Sequence, residues 1–328
     1  MVKGKSDEVG RLTVQYINRY PNAYKRTIAR IMVDERPDVF KSIENARVSV
    51  RYYLEEKGKA SRNSKKRYTP NTLFSKLQQD PDQKLPDLRL NKGKALIIGD
   101  VHSFKLSNHI QDYFRIGKEQ GVDTIILNGD IWDMDNLSRW PMTKRQTPFE
   151  EEMAFMHEFY DDIADHFPNE RKIFKKGNHE LWYDKQLWVN PKLMQSDLAD
   201  ALTLENVMNL EAKGFETLQD RQLIWLGKLL LVHGHEARKG GMYIAKAMLE
   251  YFKCDVAFGH FHRVDYHQFQ PYDRPLMRAY GLPCARDLNA HYTGVNNQWK
   301  AGFAICEFDE KHYTMDIYVE DEGRIRRL

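Results

Sequence analysis

Five short motifs lie in one order along the chain: Asp100-Val101-His102, Gly129-Asp130, Gly177-Asn178-His179-Glu180, His233-Gly234-His235 and Gly259-His260-Phe261-His262. Each follows an apolar run, namely Ala95 to Ile98, Thr124 to Leu127, Arg171 to Phe174, Leu229 to Val232 and Val256 to Phe258. Short runs of this kind, with helix-like stretches between several of them, read as strands buried on both faces. The motifs then fall where strands end, which is where open α/β sheets gather their sites. Any one of these motifs is common by chance in a chain of this size. Five in series constrain both the fold and the chemistry.

The residue types form a coherent set of carboxylates, imidazoles and one amide, with no thiol among them. Two divalent ions need a carboxylate to bridge them and neutral imidazoles to hold them without cancelling their charge. Oxygen and nitrogen donors suit manganese, iron, zinc or nickel better than calcium. The retained charge is useful: in a pair about 3.5 to 4 Å apart, a bound water becomes acidic enough to ionise near neutral pH, and both ions stabilise charge on phosphoryl oxygens.

The series DxH, GD, GNH followed by an acid, a later His and then GHxH resembles the signature of the calcineurin-like metallophosphoesterase superfamily, over residues 94 to 320. That resemblance implies a four-layer αββα sandwich over residues 94–328. It also implies two divalent metals, Mn2+ first among them with Fe, Zn or Ni as alternatives. Carried over position by position, it implies Asp100, His102 and His262 on one metal, Asn178, His233 and His260 on the other, and Asp130 between them. His179 stands at the catalytic position of the GNH motif, placed to protonate the departing oxygen after in-line attack by a metal-bound hydroxide.

Substrate class is less sharply marked. GNHE resembles the motif of serine/threonine phosphatases in this superfamily, but their GDxVDRG run is replaced by Gly129-Asp130-Ile131-Trp132-Asp133, without the Arg. That departure argues against phosphoprotein hydrolysis. The GHFH and HGH runs look more like phosphodiesterases and nucleases, and a basic helical front end is similar to phosphoesterases encoded by bacteriophages. The expectation is hydrolysis of phosphodiesters in nucleic acid, DNA or RNA, or in nucleotides. The alternatives are a phosphomonoesterase and a non-catalytic nucleic-acid-binding scaffold, although a scaffold is expected to have lost ligands and here every position is filled.

Charge divides the chain. Residues 1–94 hold 22 Lys and Arg against 11 Asp and Glu, while residues 95–328 hold 28 against 36, and all twelve histidines lie in the second part. The first region reads as three helices of helix-turn-helix type over residues 1–67: Val9, Leu12, Tyr16 and Ile17 mark one, Tyr24, Ile28, Ile31 and Met32 another, and Ile43, Ala46, Val50, Tyr53 and Leu54 a third capped by Ser42. A turn at Asp34 to Asp38, containing Pro37, separates the second from the third. Arg47 and Arg51, one turn apart off the apolar stripe, are candidates for phosphate contact, as are Lys65, Lys66 and Arg67 in the acid-free run from Lys57. Residues 68–93, rich in Asp, Gln and Pro, read as a linker.

Further candidates lie near the motifs. Trp132, Arg139, Trp140, Lys144 and Arg145 fall on an expected loop, where aromatics and cations could stack a base and hold a phosphate; packing of the two tryptophans onto the loop is the alternative, and substrate contact is the expectation. His235 reads equally as pocket lining or a turn position, and Asp133 as a loop or helix-start carboxylate before an orienting one. His109, His157, His166 and His312 read as exposed. Cys254, Cys284 and Cys306 show no metal or disulfide spacing and read as reduced. No run approaches the roughly 20 apolar residues of a membrane span, and Met1 to Asp7 lacks the apolar core of a signal peptide. A cytoplasmic protein without membrane partners is expected.

Overall fold

The computed structural model describes residues 4–21, 23, 25–54, 85–138, 148–194, 196, 198–237, 243–288 and 297–328. The chain divides into two compact units, Met1–Gln83 and Lys84–Leu328.

In the first unit α1 (Gly4–Arg19), α2 (Lys25–Glu35) and α3 (Ile43–Tyr53) enclose a small core of Leu12, Tyr16, Ile28, Ala29, Met32, Phe40, Ala46 and Val50. Apolar residues recurring every three to four positions put one stripe of each helix inward. Ser42 caps α3, its Oγ accepting the Asn45 N–H at 3.2 Å. The stripe of α3 is narrower than its sequence suggests: Ile43 and Leu54, at the two ends, are each 39 % exposed.

The second unit carries two sheets. In the larger, β2 (Gly93–Ile98), β3 (Thr124–Asn128), β4 (Arg171–Lys175) and β5 (Phe215–Leu218) run parallel, and β11 (Gly302–Phe308), β12 (Tyr313–Asp321) and β13 (Arg324–Arg327) extend the β2 edge antiparallel. The smaller contains β1 (Leu88–Leu90), β6 (Ile224–Leu226), β7 (Leu229–Val232), β8 (Val256–Phe258), β10 (Met277–Gly281) and β9 (Asp265–Phe269), in that spatial order. Leu88–Leu90, assigned to the linker on composition, instead pairs in parallel with β6 as an edge strand. Its three residues are too few for alternation to reveal.

The period of two along each strand sorts side chains into layers. Ala95, Ile97, Ile126 and Ile173 meet Ile224, Leu229, Leu231 and Ala257 between the sheets. Their neighbours Leu96, Ile98, Ile125, Leu127 and Phe174 pack outward with residues of α4 (Ile110–Glu119) and α5 (Phe149–His166). On the far side Leu230, Val232, Val256 and Phe258 pack with Ile244, Ala245, Met248 and Leu249 of α7 (Ile244–Phe252), where α6 is Glu180–Trp188. The result is an αββα sandwich with both faces of each sheet covered, which is why the strands read as continuous apolar runs. No described helix is long and apolar enough to cross a membrane.

Candidate metal centre

Strand ends β2, β3 and β4 of one sheet and β7 and β8 of the other deliver the five motifs to one place. The backbone there is unusual. Asp100 (φ 53°), His102 (57°), Asp130 (50°), His260 (68°) and His262 (58°) are all left-handed, a conformation costing about 1 kcal/mol or more for a side-chain-bearing residue and tolerated only where surroundings enforce it. Here the first two loops are pinned together: Asp100, His102 and Ser103 donate their N–H groups to the carbonyls of Gly129, Asp130 and Ile131 at 3.0, 3.1 and 2.9 Å. Gly129 and Gly177 permit the close approach, because a Cβ on Gly129 would lie 2.6 Å from His233 Nδ1 and one on Gly177 would lie 2.4 Å from the Asp130 nitrogen.

Two buried glutamates, Glu180 and Glu152, and a mostly buried third, Glu236, hold these loops. The Glu180 carboxylate accepts the N–H groups of Gly177 (2.7 Å), Asp130 (3.1 Å), Ile131 (2.8 Å) and Trp132 (3.0 Å), so it shapes the turn that presents Asp130. Glu152 of α5 accepts from Ser103 Oγ and from the Asp133 and Met134 N–H groups at 2.6, 2.8 and 3.0 Å. Glu236 accepts the N–H of His233 at 3.2 Å and of Gly234 at 2.6 Å. Burial pushes the Glu180 carboxyl up, and nearby Asp130 adds to it, while the Trp132 and Gly177 amides pull the other way. Burial also pushes Glu236 up, yet Lys175 and the neighbouring histidines outweigh it and bring it down to about 2.

The side chains converge in three overlapping groups: Asp100, His102 and His262; Asp130, His233 and His260; and His102, Asp130 and His179. Within each, one donor atom per residue lies within 4.8 Å of the others. His262 Nε2 is 3.2 Å from both Asp100 Oδ1 and His102 Nε2. Asp130 Oδ2 stands 3.1 Å from His233 Nε2, 3.8 Å from His260 Nδ1 and 3.9 Å from His179 Nε2.

Hydrogen bonds on the outer nitrogens determine which tautomer each ring adopts. A carbonyl can only accept, so His233 Nδ1 donates to Asn128 O at 2.8 Å and His179 Nδ1 donates to Asp133 O at 2.5 Å. Their Nε2 atoms face the carboxylate of Asp130. His102 directs Nδ1 to Asp133 Oδ1 at 3.1 Å, leaving Nε2 for the interior. Burial, with His179 and His262 adding to it, drives the His102 pKa well below the ordinary value, so this ring stays neutral with a lone pair to offer.

Burial raises the pKa of Asp100 and of Asp130. His262 outweighs it for the first, His233 and His179 for the second, and both carboxylates end below their usual range. For His233, burial lowers the value but Asp130 brings it up to about 10. Asn178 Oδ1, His260 Nδ1 and His233 Nε2 are buried without a hydrogen-bond partner, the last lying near Asp130 without the alignment of one. Buried polar atoms without partners are rare and costly; carboxylates and imidazoles gathered in overlapping groups, with an orphaned amide oxygen on the residue before His179, are a donor set that fits divalent cations.

Asp100, His102, Asp130, Asn178, His179, His233, His260 and His262 are therefore all at or around one centre. His235 borders it, with its ring 5.2 Å from that of His233, but its Nε2 is held by Asp220 Oδ1 at 2.5 Å. Asp133, read first as a loop carboxylate, instead orients His102 and pairs with Lys105. Trp132 does not face a substrate: it is fully buried and donates through Nε1 to Tyr160 at 3.0 Å, anchoring its loop to α5. Trp182, in the run after the GNHE motif, packs on His179 with centroids 4.0 Å apart, and Trp299 packs on His262 at 4.3 Å. Trp299 carried no motif and was missed. Arg139, Trp140, Lys144, Arg145, Lys65, Lys66 and Arg67 lie outside the described residues. Arg47 pairs with Glu44 within α3 at 3.3 Å, and both Arg47 and Arg51 are partly exposed. His312 is exposed, His109, His157 and His166 partly so, and the three cysteines are free.

No curated protein matches this sequence. Among solved structures, Vacuolar Protein Sorting 29 from Cryptosporidium parvum is 12% identical with a TM-score of 0.40, covering 73% of this chain and 97% of its own. Yfce, a phosphoesterase from E. coli, is 14% identical with a TM-score of 0.37, over 72% of this chain and 98% of its own. The nuclease MPE of Pseudomonas putida is 16% identical with a TM-score of 0.33, over 71% and 87%. A family model described as calcineurin-like phosphoesterase matches residues 93–264, more than half of the sequence and all five motifs up to His262. On that match, and with the donor set gathered at the ends of five strands, the chain belongs to the calcineurin-like phosphoesterase family.

Proposed function

We propose that the chain is a two-metal phosphodiesterase acting on nucleic acid or nucleotides. Asp100, His102 and His262 would hold one metal, Asn178, His233 and His260 the other, and Asp130 would serve both. The observation that carries this reading is the overlap of the three donor groups, with Asp130 and His102 each belonging to two of them. When bound, such a pair supplies Lewis-acid charge and an acidified water.

The protein's own residues do the rest. His179, its Nδ1–H fixed on the Asp133 carbonyl, keeps Nε2 toward the reacting space. Protonated there, it donates to the departing oxygen or to the charge developing on the phosphoryl group. Trp182 packs on the ring and restricts its rotation. The preference for diesters of nucleic acid rests on the charge division, because 22 cationic residues in the first 94 suit a polyphosphate backbone. Phosphomonoester hydrolysis is the second reading, favoured by the acid at Glu180 that completes GNHE.

The experiment is a substrate panel on Mn2+-loaded protein: DNA, RNA, bis(p-nitrophenyl) phosphate and a monoester. Cleavage of diesters is expected. Rapid release from the monoester with intact diesters would establish the second reading. Without turnover on any substrate, and with biological activity intact in Asp130→Asn combined with His179→Ala, the chain would be a scaffold.

A further inference from the structure

Strand β4 breaks its own pattern at its last residue. Ile173 faces the inter-sheet core and Phe174 the helices, so alternation returns residue 175 to the inter-sheet side, where an apolar side chain belongs. The residue is Lys175, and its side chain is completely buried. A buried ammonium is retained only where partners compensate its lost hydration. Lys175 Nζ finds two, the Asp220 carbonyl at 2.8 Å and Glu236 Oε1 at 3.1 Å.

Glu236 is not a simple counter-ion. Its Oε1 accepts the His233 N–H and its Oε2 the Gly234 N–H, so the carboxylate spans the backbone that carries His233. Lys175 precedes Lys176-Gly177-Asn178 in the other sheet. The ion pair thus ties the end of β4 to the loop after β7. It joins the two strand ends that bear Asn178 and His233, contributed by opposite sheets. The same neighbourhood is braced by His235, whose ring is held by the Asp220 side chain. Among the described residues, the group of Asp100, His102 and His262 has no such link to Lys175.

We infer that Lys175 and Glu236 are positioning residues for the second metal, setting Asn178 and His233 at the separation a divalent ion requires; this rests on the two-metal reading above. They touch neither substrate nor metal. Their work is to keep two loops from separate sheets in register, so that the second ion binds a prearranged site.

Titration of purified metal-free protein with Mn2+, followed by calorimetry and by the exchange-coupled signal of a manganese pair in electron paramagnetic resonance, tests this. The variants are Glu236→Gln, Lys175→Met and the double variant. An amide can accept at only one end and offers a donor at the other, so Glu236→Gln cannot hold both N–H groups. The first Mn2+ equivalent should bind every variant as it binds wild type. The second should weaken by about 10- to 100-fold, the usual effect of losing a partner that orients a ligand, with loss of the coupled signal and a fall in kcat at unchanged KM.

A merely structural pair behaves differently. The double variant, having no unpaired buried charge, would then recover both melting temperature and second-site affinity. Under the inference it recovers only the first. Should Lys175→Met alone fail to fold, the two variants containing Glu236→Gln carry the test. Two equivalents bound with wild-type affinity in those variants would overturn the inference and leave the metal reading standing. Fewer than two equivalents in wild type would overturn both.

Discussion

The two units of this chain use the same device, an apolar stripe turned inward, for opposite ends. Among the described residues of the helical unit no charged side chain is buried, and the ion pairs Arg19 with Glu35, Arg36 with Asp38 and Arg47 with Glu44 are at the surface. Such pairs contribute little to stability. In the sandwich, carboxylates and lysines are buried outright: Asp100, Asp130, Glu152, Glu180, Lys175 and Lys176 are each at most 3 % exposed. Buried charge is expensive, and here it is concentrated where the backbone is also left-handed. Stored strain and desolvated charge mark a site in one unit, while the described residues of the other carry their charge at the surface.

Removing the carboxylate common to two donor groups is the sharpest way to break this contrast. Asp130→Asn is expected to lower diester hydrolysis by roughly a thousandfold and to reduce the Mn2+ content measured by elemental analysis. Full metal content with unchanged turnover would show that the buried charge is architectural. Glu180→Ala comes next, because it strands the N–H groups of Gly177, Asp130, Ile131 and Trp132. Each unsatisfied buried donor costs about 1 to 3 kcal/mol, so a loss of about 3 kcal/mol or more is expected in urea unfolding. A loss below about 1 kcal/mol would mean that water takes the place of the carboxylate.

These two residues also show how far the sequence could be read. The place of Asp130 in the cluster was legible because an apolar run, a glycine and an acid recur together, and because carboxylates and imidazoles in series are chemically distinctive. Glu180 ends the Gly177-Asn178-His179-Glu180 motif, yet its inward grip on four amides depends on loop geometry that spacing does not carry. Glu152 was hidden in Glu150-Glu151-Glu152, an acidic run at a helix start of which only one member turns inward. Lys175 was hidden by its type, since lysines are almost never fully buried. Trp132 was misread for the opposite reason, an aromatic on a loop beside the centre suggesting a ligand contact where it serves packing. In the helical unit all three helices and the Ser42 cap followed from local patterning, but the exposure of Ile43 and Leu54 did not, because helix ends project past the core they bury.

The contrast in buried charge has a pH signature. His233 is brought up to about 10 from an ordinary 6.5 because Asp130 outweighs its burial. In metal-free protein this ring is therefore protonated at neutral pH, and a cation must displace the proton. Apparent affinity for Mn2+ should rise by about tenfold per pH unit across the neutral range. Stability of the metal-free protein should move the other way. A raised folded-state pKa stabilises fully below 6.5 and is lost as pH climbs toward about 10. Calorimetric titrations between pH 6 and 8 (about two units) would refute this if affinity were flat.

The smallest effect on catalysis should come from the helical unit, in which no charged side chain is buried among the described residues. Deleting residues 1–67 is expected to leave kcat and KM for bis(p-nitrophenyl) phosphate within about twofold, a change of under 1 kcal/mol, since the donor groups found among the described residues all lie beyond residue 99. Binding of duplex DNA should respond instead. If Arg47, Arg51, Lys65, Lys66 and Arg67 each neutralise a phosphate, the slope of log affinity against log salt should flatten by about 4 to 5, close to 0.9 per contact. Equal affinity and slope after truncation would remove nucleic acid from the role of the helical unit while leaving the chemistry of the sandwich untouched, because the two expectations rest on different physics: counterion release at a surface, and desolvated charge around a donor cluster.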